Sequence, residues 1–258
     1  MGSALSRVVF PAPEATYAWD PHWIWLNTSS HEVIPAFFID KGAKYTLIFS
    51  HGNAEDLGSV IEKMREVSHI LDVNVFAYEY TGYGMSTGVA SEQAFYADIH
   101  AAYSYLKDVI GVPWQRIVPY GWSIGSGPSV HLATQRPVRA LVLQSPLLSV
   151  YRVAMHTRVT LPGDMFRNRD RMGDVACPTF VIHGTKDETI PFWHAEDLVL
   201  QCRAECYYPP LFVKDGGHCD LDKTARDDFY HYLLKFLQWL DKADCPVGLL
   251  ELAEQRGL

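Results

Sequence analysis

The chain has 258 residues, 48% hydrophobic and 20% charged, with a formal net charge of −8. That balance suits one large α/β domain or two small ones with a substantial core, and it excludes a disordered or fibrous chain. The acidic charge without a basic patch argues against nucleic acid as a partner, and no apolar run approaches the roughly 18–20 residues of a membrane-spanning helix.

The opening residues lack the basic and apolar regions of a secretory signal. Residues 24–38 alternate loosely, with a polar break at Asn27-Thr28-Ser29-Ser30, which predicts a β-hairpin. Short apolar runs then alternate with helical patterns. The runs predict strands at 46–50, 73–80, 117–120, 140–144, 179–183 and 211–214; the patterns predict helices at 56–71, 92–109, 124–135, 193–201 and 224–240. An antiparallel start followed by repeating β-α units implies an α/β fold with a mostly parallel central sheet covered by helices on both faces. Connections are short except at 148–174, a mixed segment carrying Arg152, Arg158, Arg167, Arg169 and Arg171, the natural place for a small cap. The five cysteines all lie in the last third, an odd number without compact pairing, which reads as reduced thiols in a cytoplasmic protein. Cys202 and Cys206 are spaced for one helical face, but no second Cys/His pair completes a zinc site. No Gly-rich dinucleotide or phosphate-loop pattern follows a predicted strand, so no cofactor and no metal are expected.

The chemistry concentrates at strand ends, where open parallel sheets bind ligands. Gly121-Trp122-Ser123-Ile124-Gly125 follows the apolar run 117–120 and precedes a helical pattern. Strand, sharp turn and helix make this G-x-S-x-G a nucleophile elbow, with Ser123 in a strained turn and Gly121 and Gly125 supplying the missing side chains. A serine hydroxyl needs a base within reach. His218, in Asp215-Gly216-Gly217-His218 after the last strand, is the best placed of eleven histidines. Asp187, in His183-Gly184-Thr185-Lys186-Asp187, is the candidate acid to orient that base, with Glu188 its adjacent competitor. The order Ser123, Asp187, His218 is that of the α/β-hydrolases. A tetrahedral intermediate needs two fixed N–H donors: Ile124, after the nucleophile, and the backbone of Asn53 in His51-Gly52-Asn53. The loop Tyr80-Thr81-Gly82-Tyr83-Gly84 reads as packing beneath a site, without a reacting role.

Six blocks in order carry a resemblance: Ser-His-Gly-Asn at 50–53, Tyr-Thr-Gly-Tyr-Gly-Met-Ser at 80–86, Tyr-Gly-Trp-Ser-Ile-Gly at 120–125, Gln-Ser-Pro-Leu at 144–147, His-Gly-Thr-Lys-Asp-Glu at 183–188 and Gly-Gly-His at 216–218. The chain resembles the α/β-hydrolase-domain-containing protein 17 family, membrane-associated serine hydrolases that remove palmitate from protein cysteines. The likeness runs over about 8–240. It implies the α/β-hydrolase fold over 16–242, with an N-terminal segment 1–15 and a tail 243–258. It also implies Ser123 as nucleophile, Asp187 as acid, His218 as base, and Asn53 and Ile124 as oxyanion donors. The implied substrate is an acylated protein; the alternatives are a carboxylesterase or lipase on oxygen esters, a serine peptidase, or a binding protein on a hydrolase scaffold.

Two departures stand out. Trp122 occupies the place where the family usually has Gln, and no Cys precedes Cys177, whereas animal members carry a palmitoylated N-terminal cysteine cluster. Met1-Gly2-Ser3-Ala4-Leu5-Ser6 instead fits N-myristoylation at Gly2, which implies peripheral association with the cytoplasmic face of membranes. One myristoyl chain gives an association constant of only about 10⁴ M⁻¹. Arg7 is the one basic residue beside it, and Val8, Val9 and Phe10 offer weak insertion.

Overall fold

A computed structural model of the chain describes residues 9–244 and 246. Gly2 lies outside the described residues, as does most of the predicted tail 243–258. The chain forms two compact units, divided between Ile117 and Val118.

In the first unit, β1 (Ile24–Asn27) and β2 (Val33–Ile39) form the predicted hairpin, Trp25 opposite Pro35. β4 (Asn74–Tyr78) lies antiparallel to β2 and parallel to β3 (Thr46–Ser50), giving the order β1-β2-β4-β3. Every residue of β3 and β4 is buried, as expected of strands covered on both faces. After β3, Asp56 starts α1 (Leu57–Leu71) with a capping box: its carboxylate accepts the Ser59 N–H, and the Ser59 hydroxyl accepts its own. After β4, Ser91 caps α2 (Glu92–Ser104). The sequence pattern runs one helix to 109, but α-helical pairing stops at Ser104 and Tyr105–Ile110 widens into a π turn. Gly111, at φ 82°, closes that turn by donating to Leu106 O.

The second unit is wholly parallel: β5 (Ile117–Trp122), β6 (Leu141–Gln144), β7 (Thr179–Gly184) and β8 (Leu211–Val213), adjacent in that order. Pro119 has no N–H for a ladder and sits just before the stretch Tyr120–Trp122 that pairs with β6. The helix predicted at 124–135 is α3 (Ser126–Gln135), preceded by a tight 3₁₀ turn at Ser123–Gly125. The segment 148–174 contains α4 (Val150–Met155), capped by Ser149, and α5 (Asn168–Arg171). It is tied down: the buried Arg152 reaches Ser149 Oγ, Thr160 Oγ1 and, at 3.9 Å, Asp164. Arg169 pairs with Asp197, and Arg158 lies over the Trp193 ring. α6 (Trp193–Leu200) ends before Cys202, and Cys206 belongs to a separate 3₁₀ turn, so these two cysteines do not share a helix. The pattern at 224–240 resolves into α7 (Leu221–Thr224) and α8 (Arg226–Leu240), split at Ala225, whose φ and ψ of −129° and 43° leave the helical region. Among the described residues no helix is long and apolar enough to cross a membrane.

Candidate active site

The three side chains that meet in the second unit come from three strand ends. Ser123 follows β5 directly, with φ at +56°, a left-handed conformation that costs a residue with a Cβ. The turn is so tight that a Cβ on Gly121 would lie 2.5 Å from Gly125 O. That approach explains Gly121: it must lack a side chain so that the backbone at Gly125 can cross it. Ser126 Oγ donates to Ser123 O at 2.6 Å and accepts from Leu147 N and Asn168 Nδ2, which fastens the turn to the 148–174 segment. Ile124 is the middle residue of the 3₁₀ turn that leads into α3.

His218 lies beyond β8, in a loop held by Gly217 N donating to Asp220 and Ser145 Oγ donating to His218 O. That loop presses on the end of β7. Lys186 N donates to Gly216 O, and a Cβ on Gly184 would fall 2.2 Å from the same oxygen. The bare Gly184 lets the two loops touch, so Asp187 reaches the ring. His218 Nδ1 lies 2.7 Å from Asp187 Oδ2, and Nε2 lies 2.9 Å from Ser123 Oγ. An ionised carboxylate only accepts, so Nδ1 carries the proton and Nε2 is free to take the one on Ser123. The neighbouring Glu188 has no part in this line. The Trp122 indole is buried, its ring 6.2 Å from that of His218.

Asp187 is buried, which raises its pKa, but the His218 hydrogen bond and charge, the Ile190 N–H and His183 outweigh burial and hold it below the ordinary value. Its Oδ1 accepts from Thr189 N at 2.9 Å and Ile190 N at 2.7 Å. His183, the penultimate residue of β7, is fully buried, with Nε2 2.9 Å from Ile190 O and 3.3 Å from Asp187 Oδ2. Burial keeps its pKa down. His194 on α6 is buried too, accepts Leu148 N on Nδ1, and is pushed down to about 3, chiefly by burial. His183 stands four residues before Asp187 in the same motif, but nothing in that motif marks the histidine as a neighbour of the acid.

In the first unit, the loop after β3 is pinned from several sides. Asn53 accepts from Tyr83 OH on Oδ1 and donates from Nδ2 to Val9 O. Buried His51 has Nε2 2.8 Å from Glu79 Oε1 and Nδ1 3.0 Å from Gly52 O. Both nitrogens meet acceptors, so both bonds call for an imidazolium. Burial opposes that charge, yet Glu79 carries the pKa upward. A trans peptide sets N–H opposite C=O, so fixing Gly52 O also fixes the direction of the Asn53 N–H. Tyr80 OH donates to His51 O, and Tyr80 and Tyr83 pack beneath this loop.

No protein-family model matches the chain. It is similar to the α/β hydrolase domain-containing protein aho-3 of Caenorhabditis elegans, 46% identical over 182 residues, 70% of this chain and 54% of the relative. It is 42% identical to protein 17C of that series from Xenopus laevis, over 72% of this chain and 59% of the relative, and 40% identical to human protein 17B, over 76% and 68%. The chain thus spans little more than half the length of the first two relatives, at 54% and 59%. Among solved structures, it is similar to the Pyrococcus furiosus esterase Pf2001, with a TM-score of 0.75 at 17% identity over 89% of this chain and 97% of that one. It is also similar to Est1E of Butyrivibrio proteoclasticus, with a TM-score of 0.69 at 15% identity over 85% and 100%. These likenesses establish an α/β-hydrolase fold.

Proposed function

The chain belongs to the α/β-hydrolase-domain-containing protein 17 family, and from that premise we propose that it is a serine hydrolase that cleaves long-chain acyl thioesters on protein cysteines. The observation that carries the reading is the unbroken hydrogen-bonded line from Ser123 Oγ through His218 to Asp187. Ser123 Oγ attacks the thioester carbonyl as its proton passes to His218 Nε2. The N–H group of Ile124, in the turn after the nucleophile, holds the oxyanion that forms. The C–S bond breaks, the cysteine sulfur takes the proton from His218, and the acyl group stays on Ser123. A water molecule then gives its proton to His218 and attacks the acyl-enzyme. The fatty acid leaves, and Ser123 recovers its proton. Asp187 keeps its charge throughout and steadies the imidazolium.

The thioester assignment rests on the family resemblance. The likeness to the Pyrococcus furiosus esterase favours a second reading, hydrolysis of small or lipid oxygen esters by the same residues. The experiment is hydrolysis of a palmitoylated cysteine peptide beside the matching oxygen ester, wild type against Ser123→Ala. Cleavage that favours the thioester and falls on the order of 10⁶-fold in the variant is expected. Cleavage of oxygen esters alone would move the substrate class and leave the mechanism. Activity that survives Ser123→Ala would overturn both. Myristoylation of Gly2 is the proposed membrane attachment. Gly2→Ala should shift the protein from membrane to soluble fractions, and an unchanged distribution would refute it.

A further inference from the structure

His183 lies beside Asp187 and is fully buried. Its Nε2 is 2.9 Å from Ile190 O, which only accepts, so Nε2 bears the hydrogen. The nitrogen lies 3.3 Å from Asp187 Oδ2, the oxygen that His218 Nδ1 engages at 2.7 Å, but its hydrogen bond goes to Ile190 O. The other oxygen, Oδ1, is held by the N–H groups of Thr189 and Ile190. Ile190 therefore grips His183 through its carbonyl and Asp187 through its amide. The ring of His183 closes the chain from Asp187 to Ile190 around the carboxylate.

We propose that His183 is a positioning residue for the catalytic acid: its Nε2–H anchors Ile190 through the carbonyl, and the anchored Ile190 N–H keeps Asp187 from turning and leaves His218 Nδ1 one place to bind. The inference rests on the serine-hydrolase reading. The titratable groups that face His183 are Asp187 on its own loop, His218 from the loop beyond β8, and His194 from α6. Burial disfavours a charge on His183 most, and His218 adds to that. A neutral ring suits the task. A cationic partner on Oδ2 would compete with the His218 imidazolium for the charge of Asp187 just when the oxyanion forms.

The test compares wild type, His183→Phe and His183→Gln, with Ser123→Ala as the blank. His183→Phe keeps a flat ring and removes the donor. It should lower kcat about 10- to 100-fold, as small misplacements of a catalytic group do, with KM changed less than about threefold. With the Ile190 N–H held less firmly on it, Asp187 becomes a stronger partner for imidazolium, so the acid limb of kcat/KM should move up by about 0.5 pH unit. His183→Gln restores an N–H at similar reach and should recover most of the turnover and the limb. A wild-type kcat in His183→Phe, a limb that stays or moves down, or a loss that Gln does not recover would overturn the proposal. Ring-nitrogen NMR of the wild type is independent of how the variants fold. A neutral His183 protonated on Nε2 at pH 7 is expected, and a cationic or Nδ1-protonated ring would overturn it. If Ser123→Ala retains activity, the hydrolase reading fails and this proposal with it. A serine-dependent wild type beside an indifferent His183→Phe defeats this proposal alone.

Discussion

Ser123 holds its strained φ because the backbone at Gly125 crosses Gly121 within van der Waals contact. A methyl at Gly121 would meet backbone atoms 2.5 to 2.7 Å away, and backbone cannot swing aside as a side chain can. Gly121→Ala should therefore cost at least about 2 kcal/mol and abolish labelling of Ser123 by a fluorophosphonate probe. A thermal melt and a labelling gel check both, and wild-type values in either would contradict the tight crossing. Asp187→Asn should fold, since the amide oxygen can still accept from Thr189 and Ile190, yet lose about 10⁴ in kcat through the wrong His218 tautomer. At this scale legibility divides by locality. Ser123, Asp187 and His218 could be picked out because each stands in a short motif at a predicted strand end. Their meeting could not, since 95 residues separate His218 from Ser123. His183 and Glu79 stayed hidden because their partners are set by loop folding, and a buried histidine or glutamate inside an apolar run carries no local mark of whom it faces.

The elements follow the apolar periodicity closely, and the hairpin and parallel strands lie near their predicted places because continuous or alternating burial leaves a direct imprint on composition. Boundaries drift where backbone geometry overrides the pattern, as in the π turn at Tyr105–Ile110 and the break at Ala225. The 148–174 segment was recognised by its length and arginines, but its order comes from contacts that composition does not encode. Arg152 is the clearest case: its side chain is buried with Asp164, Ser149 and Thr160 around it, and Asp164 in turn accepts the N–H groups of Tyr151 and Met165. Removing one partner of a buried ion pair strands the other charge and costs about 3–5 kcal/mol. Arg152→Ala should lower stability by about that amount, with new proteolytic cuts first appearing within 156–163. An Arg152→Ala protein with unchanged melting and cleavage would show that the pair does not hold this segment.

The largest shifts at buried groups run in opposite senses in the two units, which sets their responses to acid apart. In the second unit His194 is held down to about 3, and His183 is also lowered. A histidine with a depressed folded pKa binds fewer protons folded than unfolded, so its contribution is whole above the unfolded value near 6.5 and fades as pH falls towards the folded one. Between pH 6.5 and 4.5 that loss is roughly 2 kcal/mol for His194 alone. In the first unit, burial lifts Asp98 to about 7, and His51 is raised by Glu79 against its burial. An acid with a raised folded pKa destabilises as pH climbs from the unfolded value to the folded one, so acidification from pH 7 to 4.5 relieves about 3 kcal/mol at Asp98. The His51 contribution is complete below about 6.5 and disappears only as pH rises through its raised folded value. Hydrogen exchange, corrected for intrinsic rate, should thus show protection lost between pH 6.5 and 4.5 within residues 118–244. Residues 9–117 should hold or gain protection over the same span. The first loss is expected at Leu148 N, whose acceptor on His194 Nδ1 vanishes when that ring is protonated. His194→Gln, which titrates no proton, should flatten the acid loss around 148–174. If protection falls equally in both units, or falls first in 9–117, the buried histidines of the second unit do not govern its acid stability.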